Sequence, residues 1–117
     1  MKAWLIGCVI AQVALQMLSA NAAPPAPQAA PDLSVGKALF HEKCAMCHGP
    51  GGMGTGLLAR RVQPAELAQR DDLIAAYVTT AARMGVGNMP PIPRGEASDV
   101  QLQAIADYLT APKAVRP

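Results

Sequence analysis

The run EKCAMCHG, residues 42 to 49, places two thiols, Cys44 and Cys47, three residues apart and puts His48 directly after the second. Two cysteines so spaced can close a disulfide, act as a redox couple or supply half of a zinc site. A thioredoxin-like pair sits at a strand-to-helix junction, and no stretch of this chain reads as a strand. A structural zinc site needs four ligands, typically two such pairs. After Cys47 the chain offers neither cysteine nor histidine beyond His48, so only His41 could be recruited.

The third chemistry is covalent haem attachment. Cys-x-x-Cys lets two sulfurs form thioethers with two vinyl groups on one porphyrin edge, and the histidine that follows is then held beneath the iron. Every residue of Cys44-Ala45-Met46-Cys47-His48 has a place in that arrangement. Gly49, Gly51 and Gly54 also match G-x-G-x-x-G, but a dinucleotide fold requires a strand before the pattern and a helix after it, and neither is expected here. The glycines read as a loop passing close to the haem edge, or as ordinary loop residues.

The elements that must position this site are helical. Ser34 can cap a first helix that turns Val35, Ala38, Leu39 and Phe40 toward a core and runs into Cys44. Gly36 inside it costs about 1 kcal/mol relative to alanine, which suggests close contact with another element. Residues 49 to 56 are glycine-rich and read as loop. Pro64 can start a short helix through AELAQ. Asp71-Asp72 opens a stronger one with Leu73, Ala76, Tyr77, Thr80, Ala81 and Met84 on one stripe and Gly85 at its end. The segment GVGNMPPIPRGE, with three prolines and three glycines, must be a loop. Ser98 and Gln101 form a capping box for a last helix whose stripe is Leu102, Ile105, Ala106 and Leu109, stopped by Pro112.

The opening of the chain reads as an export signal over residues 1–22, with Ala20-Asn21-Ala22 as the cleavage site. A membrane anchor results if it is not cleaved, and Cys8 in LIGC resembles a lipobox. A proline- and alanine-rich leader over 23–31, a domain over 32–112 and a tail over 113–117 complete the organisation. Cleavage leaves about ninety-five residues, with Cys44 and Cys47 as the only thiols and Phe40, Tyr77 and Tyr108 as the only aromatics. A core this poor in large side chains is marginal in so short a chain and needs another component. Of ten Lys/Arg, one is Lys2 in the signal, against eight Asp/Glu, so the mature protein is nearly neutral and has no nucleic-acid-binding stripe.

From Leu33 to Leu109 the chain resembles the class I monohaem cytochromes c, through VGKALFHEKC leading into CAMCHG, the glycine-rich loop, a middle helix, methionine before proline in NMPP, and a final helix ending IADYL. The resemblance implies an all-α fold of three to five short helices around one covalently attached haem c. It implies that the first and last helices cross near Gly36 and Tyr108, with Phe40 nearby. It carries over thioether attachment at Cys44 and Cys47, axial ligation by His48, and a sixth ligand at Met89, with Met84 expected in the core instead. Family members often orient the proximal histidine through the carbonyl of a proline after the motif. Pro50 stands too close here, and a carbonyl near Gly56 is the substitute. Leu39, Leu57, Leu58, Ile92 and Leu109 are expected around the ring.

Histidine and methionine together close the iron and favour one-electron transfer. The implied protein is a periplasmic carrier, not an enzyme, that takes electrons from a flavoprotein or quinoprotein dehydrogenase and passes them to a downstream cytochrome or oxidase of the respiratory chain. It has no nucleic-acid partner and no membrane insertion once the signal is removed. The alternative is a haem-based small-ligand sensor or peroxidase with a labile sixth ligand, although the distal segment supplies only Arg94 toward peroxide chemistry. Arg60 and Arg61 could meet an acidic partner or a haem propionate, or simply face solvent.

Overall fold

In the computed structural model, which describes residues 29–117, helix α1 (Leu33–Lys43) begins at Asp32. The Asp32 carboxylate accepts from the Ser34 backbone N–H at 3.0 Å and from the Ser34 hydroxyl at 2.6 Å. The cap is therefore Asp32 and not Ser34: the helix starts one residue before Ser34, whose own N–H and hydroxyl donate to the Asp32 carboxylate. The export segment with its cut at Ala22, Cys8, and leader residues 23–28 lie outside the described residues.

Helix α1 is followed, after the single turn residue Cys44, by α2 (Ala45–His48), then α3 (Met53–Leu58), α4 (Ala75–Met84) and α5 (Asp99–Thr110), with 3₁₀ turns at Leu67–Gln69 and Lys113–Val115. The fold is all-α as expected. Among the described residues the only β pairing is an isolated bridge between Val86 and Met89, and no helix is long and apolar enough to cross a membrane.

The first and last helices cross where Gly36 meets α5. A Cβ on Gly36 would stand 2.2 Å from the Ala104 carbonyl oxygen and 2.7 Å from Tyr108 Cβ, so only hydrogen fits there. That contact selects the buried face of α1. Gly36 and Phe40 are buried and Leu39 packs against them, whereas Val35 is 49% exposed and Ala38 also faces solvent, against the sequence reading. Phe40 lies 5.9 Å from Tyr108, ring centre to ring centre, at a 45° tilt.

The α5 stripe is buried as its periodicity indicates: Leu102, Ile105, Ala106 and Leu109, joined by Tyr108. Its capping box is complete, with Ser98 Oγ accepting from Gln101 N–H at 3.2 Å and Gln101 Oε1 accepting from Ser98 N–H at 2.9 Å. Phe40, Ile105, Tyr108 and Leu109 form the core cluster. Each large apolar residue so buried contributes about 1.5–3 kcal/mol, little against the cost of about 1–2 kcal/mol per ordered backbone residue.

Three local expectations are corrected. Residues 53 to 58 are helix, not loop: Gly56 N–H donates to Gly52 C=O at 2.9 Å, and the Thr55 hydroxyl donates to Gly49 C=O at 2.8 Å. A helix therefore does follow the G-x-G-x-x-G pattern, but a helix rather than a strand precedes it, and the dinucleotide reading still fails. Pro64 follows a cis bond from Gln63 and starts no α-helix. Only the 3₁₀ turn forms in AELAQ.

Helix α4 starts at Ala75, after Ile74, because the Asp72 carboxylate is held by Arg70 (Nε to Oδ1 2.8 Å) instead of facing a helix start. Its covered side is Ala82, with Val78, Thr79 and Ala81 half-buried, while Ala76, Tyr77 and Thr80 face outward. Met84, expected in the core, is 74% exposed. The helix is alanine-rich, so several faces are equally able to pack, and α5 selects the one carrying Ala82. The tail returns to the domain: Arg116 donates to the carbonyls of Ala68 and Arg70, each at 2.8 Å.

Two predictions follow from this packing. Gly36→Ala should lower stability by about 1–3 kcal/mol despite alanine's better helix propensity, because the obstructing atom is a backbone carbonyl that cannot rotate away. Gly95→Ala, with nothing within 4 Å of the added methyl, should leave the denaturation midpoint near that of the parent protein. Equal loss in both variants would refute the close-crossing account. The second concerns pH. Hydrogen bonds from Arg94 and then Arg83 hold the Asp99 carboxyl below the usual carboxylate range. Its folded value thus lies below its unfolded one, so its contribution is present above the ordinary carboxylate range and is lost as pH falls through the folded value. The stability advantage of the parent over Asp99→Asn should shrink between about pH 5 and pH 3. A pH-independent difference in chemical-denaturation midpoints would contradict this.

Candidate functional site

Cys44 both ends α1 and begins α2, its N–H donating to Phe40 C=O at 2.9 Å. Its own carbonyl accepts from the N–H groups of Cys47 at 3.1 Å and His48 at 2.9 Å. One turn, capped by Cys44, therefore carries Cys44, Cys47 and His48 together. Met46, between them, points away and is 89% exposed. Because only Cys44 separates α2 from α1, the crossing at Gly36 places this turn.

Both cysteines are half-buried free thiols. Burial pushes the Cys44 thiol up to about 11, opposite to the lowered values of redox-active cysteines. His48 is half-buried, and its desolvation lowers its basicity, which keeps the imidazole neutral with a lone pair free. Its Nδ1 is buried with no hydrogen-bond partner. The carbonyl expected near Gly56 thus does not reach it. Gly54 covers the ring instead: a Cβ there would stand 3.0 Å from Cε1 and 3.1 Å from Nδ1.

The glycines after His48 serve this contact. A Cβ on Gly52 would meet the Cys47 carbonyl oxygen at 2.4 Å, and one on Gly54 would meet it at 2.9 Å. Helix α3 can lie against the Cys44–His48 turn only because both positions lack side chains. The sequence reading took the same glycines for loop, and spacing alone does not reveal which backbone they approach.

Met89 comes from the connection between α4 and α5. Gly85 ends α4 at φ +74°, and a Cβ there would clash with the Met89 carbonyl oxygen at 2.6 Å. Val86 and Met89 then exchange backbone hydrogen bonds of 3.1 and 3.0 Å around Gly87, which takes φ +58° as a tight two-residue turn requires. Met89 is half-buried, followed by Pro90 and Pro91, and the chain is tied back to α4 by Ile92 N–H donating to Ala82 C=O at 2.8 Å. Arg83 was not anticipated. Its guanidinium donates to Ile92 C=O and Ala97 C=O, each at 2.9 Å, and to Asp99 Oδ1 at 2.7 Å. A basic residue in the last turn of a helix was the one local signal for it.

Of the apolar residues expected around a ring, Leu39, Leu58 and Ile92 are half-buried, Leu57 is 37% exposed, and Leu109 is taken up in the α1–α5 core. Arg60 and Arg61 are exposed, without an ion pair among the described residues. Arg94 is engaged by Asp99, Nε to Oδ2 at 2.9 Å. Among the described residues no three His, Cys, Asp or Glu side chains gather as a metal cluster, which is the arrangement zinc would need. Two free thiols and a half-buried imidazole on one turn, with a thioether on an anchored loop, are instead a donor set suited to covalent haem.

The family model described as cytochrome C oxidase, cbb3-type, subunit III matches residues 31–109. No curated protein and no solved structure matches the chain. The matched span starts just before α1 and ends inside α5, so it takes in the crossing, the Cys44–His48 turn and the Met89 loop together. The chain therefore belongs to this family, and its domain is an all-α, monohaem c-type cytochrome that supports haem-based electron transfer.

Proposed function

We propose that the chain is an exported one-electron carrier in which Cys44 and Cys47 hold one haem c through thioethers and His48 and Met89 are its axial ligands. The observation that carries this reading is the Cys44–His48 turn itself, which holds two free thiols and an imidazole of lowered basicity within one hydrogen-bonded turn. Each sulfur would add, with its hydrogen, across one vinyl double bond, so attachment neither gains nor loses electrons.

When bound, the haem supplies an iron that cycles between ferric and ferrous states. The residues decide what that iron can do. His48 and Met89 would fill both axial positions, leaving no site for substrate, and the neutral thioether would favour the ferrous form relative to a second nitrogen ligand. Gly54 leaves beside the His48 ring the space that a Cβ would take. Leu39, Leu57, Leu58 and Ile92 would exclude water from the ring and so adjust the potential. Residues 1–22 would direct the chain to the periplasm, and the nearly neutral mature protein would exchange electrons with a dehydrogenase on one side and a downstream cytochrome or oxidase on the other.

Visible spectra of the protein matured with haem test the closed centre. The reduced protein should keep its low-spin spectrum under CO, and the oxidised protein should show a far-red sulfur-to-iron band. Met89→Ala should abolish the band and admit CO, whereas Met84→Ala, at an exposed helix end, should leave both unchanged. Loss of the band in the Met84 variant alone would move the ligand to Met84. Rapid CO binding by the unaltered protein would favour a small-ligand sensor or peroxidase.

A further inference from the structure

The connection that carries Met89 has few ways to hold its own shape. Pro90, Pro91 and Pro93 have no N–H to donate, and Gly85 and Gly87 both sit at positive φ. Past the Val86–Met89 turn, one backbone hydrogen bond, from Ile92 N–H to Ala82 C=O, ties the segment to α4. Glu96 and Ala97 N–H donate to Pro93 C=O within the segment, and Arg94 reaches Asp99, but the side-chain ties from the segment back to α4 come from Arg83. It stands two residues before the loop begins, and its guanidinium reaches Ile92 C=O, nine residues on, then Ala97 C=O and Asp99 at the start of α5. Its side chain is only 17% exposed, and its Nε is buried with no partner. Leaving that donor unsatisfied is a cost that a residue merely decorating the surface would avoid by turning outward. The two carbonyls and the carboxylate also need a planar fork of donors, which lysine cannot provide.

We propose that Arg83 is a positioning residue for the sixth ligand: by clamping the loop at Ile92 and Ala97 to the end of α4 and the start of α5, it keeps Met89 seated on the iron and sets how easily an outside ligand displaces it. This rests on Met89 being that ligand. An external ligand binds in proportion to the fraction of molecules whose methionine is off the iron, so a loosened loop raises the observed affinity. Arg116 is the matched comparison. It is another arginine donating to backbone carbonyls, those of Ala68 and Arg70 and, at 3.5 Å, of Leu109, with its Nε also buried and unpartnered, but it clamps the tail and not the Met89 loop.

The test is titration of the oxidised haem-loaded protein with imidazole, followed by visible spectra, in the parent, Arg83→Gln, Arg83→Lys, Arg116→Gln and Met89→Ala, with the thermal midpoint of each recorded by circular dichroism. Arg83→Gln should bind imidazole at least about tenfold more tightly than the parent, with Arg83→Lys in between. Arg116→Gln should lose thermal stability while its imidazole affinity stays at the parent value. Parent-like affinity in Arg83→Gln overturns the proposal, and so does an equal shift in Arg116→Gln, which would make the effect one of general destabilisation. Should Arg83→Gln fail to accumulate, parent-like affinity in Arg83→Lys overturns it equally. A parent that lacks the far-red band and binds imidazole as Met89→Ala does would instead refute Met89 as the ligand, and Arg83's role with it.

Discussion

The approach of α1 to α5 at Gly36 governs the rest of the structure. A helix backbone that lies against the Ala104 carbonyl brings Phe40 onto Tyr108, Ile105 and Leu109, and these residues make the core cluster. The same helix runs on through Cys44 into the turn that holds Cys47 and His48. The crossing and the reactive turn are thus parts of one nearly continuous helical segment, and the orientation of one fixes the orientation of the other. The glycines of α3 extend the same logic, since Gly52 and Gly54 let a further helix close on the Cys47 carbonyl and the His48 ring. The site is positioned by backbone-to-backbone contact at places where side chains are missing.

Elsewhere the chain compensates for a small core with long polar reach. Arg83 and Arg116 each pass a guanidinium to two backbone carbonyls far along the sequence, and each fastens a segment that has little regular structure of its own. Such buried charge-assisted bonds hold loops that proline and glycine leave without main-chain partners. A covalently attached haem would add the large apolar surface that one phenylalanine and two tyrosines do not supply.

Much of this was legible beforehand, for identifiable reasons. Cys44-Ala45-Met46-Cys47-His48 is local chemistry, and its spacing is what points to covalent haem. The capping box at Ser98 and the stripe Leu102, Ile105, Ala106, Leu109 are local periodicity, and both stand in the structure. Gly36 was recognisable because an interior helix glycine is costly without a neighbour. The buried face of α1 was misread, since Val35 and Ala38 are as apolar as the residues chosen and only the partner helix decides among them. Helix α4 failed for the same reason, its alanines fitting several faces. Gly52 and Gly54 were taken for loop because a glycine needed for close approach is written with the same letter as one needed for a turn. Arg83 and Arg116 act across 9 to 48 residues, and no short-range pattern encodes such a bond.

The central claim is that Cys44 and Cys47 are spent on holding one haem. The intact mass of the protein, purified from the periplasm of a host able to mature c-type cytochromes, measures this directly. The account predicts a chain beginning at Ala23 and heavier than its polypeptide by one haem that survives denaturation, with the added mass lost when both cysteines are replaced by serine. A denatured chain at its bare polypeptide mass, or one carrying a disulfide between Cys44 and Cys47, would contradict it.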